Sequence, residues 1–224
     1  LHKEYRRQRQ MCIRDRFNSV CAILLIFSIK DLKSQSVFHT WPTLDIQGEI
    51  FDDIEVKLEY RNKYDNSARE SKQGRIDLGF AYKLKKLKIG LYYREIYNLK
   101  NDLRVSEFRP HLDITYKLND NMKIRYRNEF RIKELDDNVF RHRLRYSYSL
   151  KIFDNYNPFI QNEIFFTENK FIRNRINLGL SIKFKKTPFN FKPSYILESN
   201  RKVSGENISW SQKNVFVLAV SIKL

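Results

Sequence analysis

Three short arginine tracks are the residues of this chain best placed to do chemistry: Arg125-x-Arg127, Arg141-x-Arg143-x-Arg145 and Arg173-x-Arg175. A guanidinium presents its donors in a planar fork that grips carboxylate or phosphate oxygens two at a time. A spacing of two puts every arginine of a track on the same side of a β-strand. A hairpin would set Arg125 and Arg127 beside Arg141, Arg143 and Arg145. Like charges facing each other across strands repel unless carboxylates or counterions come between them. Two readings follow. The tracks form an anion-binding wall, or they belong to an internal network in which Glu55, Glu59, Asp77, Asp113, Glu129 and Glu163 neutralise them and fill the interior.

Catalytic chemistry has less to work with. A hydrolase would need a histidine near a serine or an aspartate. His111 shares a strand phase with Asp113, and Ser147, Ser149 and Ser181 fall in the same phase, but no nucleophile motif surrounds them. His142 falls in the opposite, apolar phase, and His39 stands alone. There is no Gly-rich phosphate loop, no Cys/His metal spacing and no dinucleotide fingerprint. No catalytic residue, metal site or cofactor is assigned.

The elements that must carry the arginines are strands. In Glu55-Val56-Lys57-Leu58-Glu59-Tyr60-Arg61, in Arg75 to Leu84 and in Lys123-Ile124-Arg125-Tyr126-Arg127, every second residue is apolar and its neighbours are mostly charged. Each segment therefore has one apolar and one ionic face. Ten strands are expected, at 54–63, 74–84, 87–97, 107–118, 121–132, 139–152, 158–167, 172–184, 189–199 and 212–224. Residues 64–73, 98–106 and 200–211 read as long polar loops and alternate with short turns such as Lys85-Lys86 and Asn119-Asp120. Long loops at one end and tight turns at the other are the layout of an outer-membrane barrel, with the tight turns toward the periplasm. This count puts both ends of the barrel on the short-turn side. Leu44 to Ile50 also alternates, but an eleventh strand breaks the even number usual for such barrels. Residues 37–53 are accordingly read as an N-terminal lead, with Trp41 at the interface or in the barrel mouth.

Composition permits either a soluble or a membrane protein. The chain has 224 residues and a formal net charge of +17, with a pI near 9.8 and a mean hydropathy of −0.61. Those averages fit a soluble basic β-protein that binds nucleic acid, but a barrel needs only alternate residues to be apolar, so a low mean hydropathy is compatible with it. The aromatic residues argue against the nucleic-acid reading, because they share the aliphatic phase opposite the arginines. The apolar set includes Leu58, Tyr60, Leu78, Phe80, Tyr82, Leu91, Tyr93, Tyr116, Leu144, Tyr146, Ile176 and Leu178. The phase opposite holds Arg75, Lys83, Arg94, Arg109, Lys117, Lys123, Arg131 and Lys183 besides the arginine tracks.

The N-terminal region is set apart. Residues 1–16 resemble translated adapter sequence and are read as non-native. Residues 17–36, with the apolar run Val20 to Ile29 behind Arg16, have the layout of a secretory signal peptide. The run is half the roughly 20 apolar residues a spanning helix needs. Both cysteines, Cys12 and Cys21, leave with this segment, as do eight Lys+Arg and three Asp+Glu, so the basic excess survives processing.

From Trp41 to Leu224 the chain resembles an uncharacterised family of Gram-negative outer-membrane β-barrel proteins, known as a domain of unknown function. The resemblance rests on Trp41, Leu58-Glu59-Tyr60-Arg61, Leu78-Gly79-Phe80-Ala81-Tyr82-Lys83-Leu84, Ile89 to Arg94, Arg141 to Tyr146, Pro158 to Phe165 and Arg173 to Gly179. It implies a location and a shape, and no activity. The last expected strand alternates Phe216, Leu218, Val220, Ile222 and Leu224, which resembles the C-terminal assembly signal of such proteins, although they more often end in Phe or Tyr.

The expected fold is an all-β, antiparallel up-and-down transmembrane barrel over 54–224. It is expected in the outer membrane as a monomer, in contact with outer-membrane lipid, lipopolysaccharide and the assembly machinery, and without nucleic acid. Its basic interior is structural or binds an anion, with a narrow pore as one form of that function and an outer-membrane enzyme acting on lipid or peptide as the alternative. The candidate anion-binding residues are Arg125, Arg127, Arg141, Arg143, Arg145, Arg173 and Arg175.

Overall fold

The computed structural model describes residues 37–67, 69–100, 103–150, 155–168, 170–205 and 207–224. The segments read as non-native sequence and signal peptide, 1–16 and 17–36, lie outside them. The described residues form eleven strands: β1 Val37–Phe51, β2 Ile54–Asp65, β3 Glu70–Leu84, β4 Leu87–Lys100, β5 Leu103–Lys117, β6 Met122–Lys133, β7 Val139–Ser149, β8 Tyr156–Thr167, β9 Lys170–Lys183, β10 Phe189–Ser204 and β11 Asn207–Lys223. They close into a barrel in sequence order, each antiparallel to the next, and β1 meets β11 to seal it.

The segment read as a lead is β1, so the barrel has eleven strands, not ten. With an odd number the first and last strands run the same way and the closing ladder is parallel, from Val37↔Lys213 to Gln47↔Lys223. An even count keeps every ladder antiparallel, but parallel hydrogen bonds also satisfy both backbones, so parity does not decide whether β1 joins. Val37 and Leu224 consequently lie at opposite ends of the barrel, not on the same side. The stretches read as long loops are mostly strand. Hairpin pairing continues to Asp65↔Glu70, Lys100↔Leu103 and Ser204↔Asn207. Polar residues carry the two-residue period upward there, where an apolar pattern no longer marks it. One end of the barrel therefore carries tall hairpins. The other carries tight turns, in which Lys85 (φ 46°) and Lys186 (φ 60°) adopt the left-handed conformation.

The polarity is inverted relative to a water-soluble protein. Leu78, Phe80, Leu91 and Phe140 point outward, Phe80 with 55% of its surface exposed, while Glu129 is 0% and Arg94 3% exposed inside. On β3 the outward phase is apolar from Ile76 to Leu84. Nine residues is the span of a tilted membrane strand. The expected outward tyrosines, Tyr60, Tyr82, Tyr93, Tyr116 and Tyr146, all lie on this surface.

Inside, the half of the lumen toward the tight turns is narrowed by aromatic rings laid flat on glycine. Tyr92 points inward and stacks on His111, with ring centroids 5.3 Å apart. A Cβ at Gly79 or at Gly90 would come within 2.5 Å of the Tyr92 ring. Gly79→Val is expected to lower stability by about 1–3 kcal/mol through overpacking. Urea unfolding of the refolded protein in detergent micelles measures this, and an unchanged midpoint would show that both the Tyr92 ring and the Leu91 carbonyl beside Gly79 give way freely.

Candidate functional site

Strand pairing brings the arginine tracks together with acidic residues. Asp77 faces Arg94, Asp113 faces Arg127, Glu129 faces Arg141, and Glu163 faces Arg145 on one side and Arg175 on the other. The hairpin β6–β7 also sets Arg125 directly opposite Arg145 and Arg127 opposite Arg143, as expected. Carboxylates relieve the repulsion. Arg125 and Arg145 both donate to Glu163, at 2.9 and 3.0 Å, while Arg143 reaches Glu129 at 2.5 Å and Arg127 lies 3.6 Å from it.

These contacts join into a belt around the lumen. Glu59 on β2 accepts from Arg75, and Arg75 lies 3.3 Å from Asp77. Arg94 donates to Asp77, at 3.0 Å through Nη2, and reaches past β5 to Glu129 on β6 at 3.3 Å. Arg141 donates through Nε to Glu129 at 2.8 Å, and Arg143 donates to both oxygens of Glu163 at 2.8 Å. Arg175 lies 3.9 Å from Glu163 and donates to Glu198 on β10. The belt stops there. Where β10, β11 and β1 meet, the inner face carries an apolar cluster of Trp41, Ile196, Val215 and Val217. Trp41, expected at the interface or the mouth, is packed into this wall with 4% of its surface exposed.

The belt divides the seven candidate arginines. Arg125, Arg127 and Arg145 lie on the tight-turn side. Arg127 grips Asp113 with both arms, at 2.5 and 2.6 Å, and Arg125 and Arg145 are taken by Glu163. Arg141, Arg143, Arg173 and Arg175 instead face a cavity of about 290 Å³ in the tall-hairpin half. Its lining holds ten Lys and Arg side chains against two carboxylates, Glu107 and Asp136. Glu107 is occupied, by Arg109 at 2.8 and 2.6 Å and by Arg131 at 2.6 Å.

Two aromatic rings stand among these cations. The guanidiniums of Arg143 and Arg175 lie 4.7 and 4.8 Å from the centroid of Phe165, with Arg141 and Arg173 at 5.4 and 5.5 Å. Trp41 holds the Lys63 ammonium at 4.7 Å and Arg175 at 5.4 Å. Attraction to the ring face steadies cations that have few counterions. Sequence reasoning did not single out Lys63, Phe165, Glu107 or Glu198. Strand phase marks two of them, since Phe165 alternates with Glu163 and Glu107 with Arg109.

The histidines do not assemble a hydrolytic relay among the described residues. His111 Nδ1 bonds the Arg109 carbonyl at 3.1 Å, and Asp113 is held by Arg127. His142 points outward and pairs with the Tyr126 hydroxyl at 2.7 Å. The described residues contain no cluster of three or more His, Cys, Asp or Glu that could hold a metal ion.

A family model described as a protein of unknown function, DUF2490, matches residues 38–208, from β1 into β11. The chain belongs to the DUF2490 family. No curated protein matches it. Among solved structures, this DUF2490 chain is similar to an anion-selective porin from Comamonas acidovorans, with 11% identity and a TM-score of 0.40. The match covers 76% of this chain and 53% of the porin chain, so the DUF2490 chain spans about half the length of that structure.

Glu129 is the carboxylate on which the belt turns, with Arg94, Arg127, Arg141 and Arg143 all within 4 Å. Glu129→Gln leaves buried guanidiniums unneutralised and is expected to lower stability by about 3–5 kcal/mol. Glu70→Gln breaks only the exposed pair with Lys72 and is expected to cost under about 1 kcal/mol. Paired urea titrations in micelles measure the difference; equal midpoints for the two variants would rule out the belt as a structural support.

Proposed function

We propose that this DUF2490 protein is an outer-membrane β-barrel whose lumen is shut at mid-height and whose cationic upper wall takes up anions. One observation carries the membrane placement: large apolar side chains cover the outside while charged ones are buried within. An apolar belt running round the whole barrel far exceeds the patches a water-soluble monomer exposes. A hydrocarbon surround removes that cost. The sequence of 17–36, with its signal-peptide layout, supports export. In this reading the tight turns face the periplasm and the tall hairpins face outward among lipopolysaccharide. The assembly machinery handles the chain on its way in, and it functions as a monomer.

The closure follows from the belt. Arg94, Glu129, Arg143 and Glu163 are each at most 5% exposed, so no water-filled passage runs beside them, and an ion crossing at their level has to displace buried, paired charges. Separating paired charges out of water is costly. Below the belt, Tyr92 and His111 occupy the lumen. The alternative is a narrow anion-selective pore, favoured by the excess of cations around the cavity.

Planar-bilayer recording of the refolded chain separates the two. The closed barrel leaves the bilayer silent, and replacing Arg94, Glu129 and Arg143 together by serine produces steps that favour chloride over potassium. Steady anion current from the unaltered chain would establish the pore and end the closed reading. Charge reversal at Arg143 gives a second check: if it leaves both anion binding and conductance unchanged, the arginine wall has no part in either.

A further inference from the structure

The tall-hairpin half of the lumen has more hydrogen-bond donors than acceptors, and the surplus gathers on one cavity. Trp41 Nε1 and the Nε groups of Arg75, Arg143 and Arg173 are buried without a hydrogen-bonded acceptor, the last lying 3.7 Å from Glu198 Oε1. All four residues line the cavity of about 290 Å³. Trp41 and Arg143 are only 4% and 5% exposed. Lys63 lines the same space. Its ammonium rests 4.7 Å from the Trp41 ring centroid and makes no ion pair among the described residues. A buried donor without an acceptor is costly, and a buried cation without a counterion more so. The tight-turn half also carries cations in excess, with Lys123 near Arg125, Arg145, Lys192 and Lys88, but there Asp113 and Glu163 hold Arg125, Arg127 and Arg145 and leave one buried arginine donor, Arg125 Nε, unbonded.

We propose that this cavity is a binding site for a phosphate group, free or carried on a small sugar, held by Lys63, Arg143, Arg173 and Trp41. A tetrahedral phosphate dianion presents acceptors on every oxygen and in four directions, with at most one O–H donor, which matches the cationic side chains that line the cavity from several strands. A carboxylate brings two oxygens in one plane and leaves some of these donors unmet. Chloride has no directional acceptors. Trp41 and Phe165 supply apolar faces beside the cations, and the cavity is larger than a bare phosphate needs, which leaves space for a sugar ring. The proposal rests on the closed reading of the lumen only for its direction of entry, from the tall-hairpin end.

The test uses the full chain refolded in detergent, in a Trp210→Phe background. The chain has two tryptophans, so Trp41 alone then reports. At constant ionic strength, inorganic phosphate and a hexose phosphate are titrated separately, with sodium chloride as the control. A saturable change in Trp41 emission is expected with phosphate and not with chloride. Lys63→Met and Arg173→Met each weaken the response at least about tenfold, while Lys117→Met at the tight-turn end leaves it unchanged. Tighter binding of the hexose phosphate identifies a phosphorylated sugar as the ligand; equal binding identifies the free ion. No saturable response, an equal response to chloride, or an unaltered response in both Lys63→Met and Arg173→Met overturns the site. A heat-dependent shift in gel mobility confirms that each variant is folded. Conductance and binding fail separately: current through the bilayer with the phosphate response intact removes only the closed reading, and silence without a response removes only the site.

Discussion

Buried charge must be neutralised where it stands, and this requirement organises the whole barrel. A β-strand has two faces, and here one is apolar and the other strongly ionic on nearly every strand. If the ionic face is to be inside, each guanidinium needs a carboxylate within reach of its own strand or the next. The register supplies it. Asp77 opposite Arg94, Asp113 opposite Arg127 and Glu129 opposite Arg141 are direct cross-strand partners. A slip of one residue would turn the charges of that strand outward and its apolar residues inward. The ion pairs thus select the register as well as neutralising the interior, and the register in turn fixes which side chains face the cavity.

The belt leaves a gap, and the seam of the barrel lies in it. β1 and β11 meet in parallel, with Trp41 and Thr43 beside Val217 and Ala219, and their inner faces are mostly apolar or neutral. Parallel pairing is slightly weaker per residue than antiparallel pairing. An apolar cluster needs no matched partner geometry, so it tolerates the altered alignment of a parallel seam better than a row of bidentate ion pairs would. Arg175 and Lys63, lying over the ring of Trp41, tie that cluster back to the ionic side.

Much of this was readable from the chain, and the exceptions have identifiable physical causes. Alternation locates β2 to β11, with ends close to those observed at the tight turns, because an apolar outer face imposes its period directly on the sequence. A parity rule that describes most barrels but is not required by hydrogen bonding excludes β1 from the strand count. Leu44, Ile46 and Ile50 had already shown its outward face. The tall hairpins were read as loops because their strands leave the apolar belt and keep the period in residues such as Ser209 and Ser211, where composition resembles a turn. The arginine tracks were correctly placed on one internal wall. Their division into a saturated lower group and a cavity-facing upper group was not legible, because it depends on Arg94 reaching from β4 to Glu129 on β6, past the intervening strand.

That division bears on why the chain carries more guanidiniums than carboxylates at all. A barrel needing only to be filled could match cations to anions throughout, as Asp113 and Glu163 do for Arg125, Arg127 and Arg145, or could use neutral side chains at less electrostatic cost. Near the tight turns the wall does use them: Ser194 and Ser221 are buried there, alongside Asn177 and Gly179. Above the belt, Lys63, without an ion pair among the described residues, and Arg173, 3.7 Å from Glu198, border a cavity instead of a packed interior. Folding alone gives no reason to gather unpaired donors around an open space, since each is less stable there than in water. The proposed anionic ligand gives a reason: Arg143 and Arg175, already desolvated and fixed by ion pairs on their far side, lose little further freedom on binding it. On the proposed reading the carboxylates of the belt have two roles, holding the barrel together and presenting the upper arginines in a fixed array.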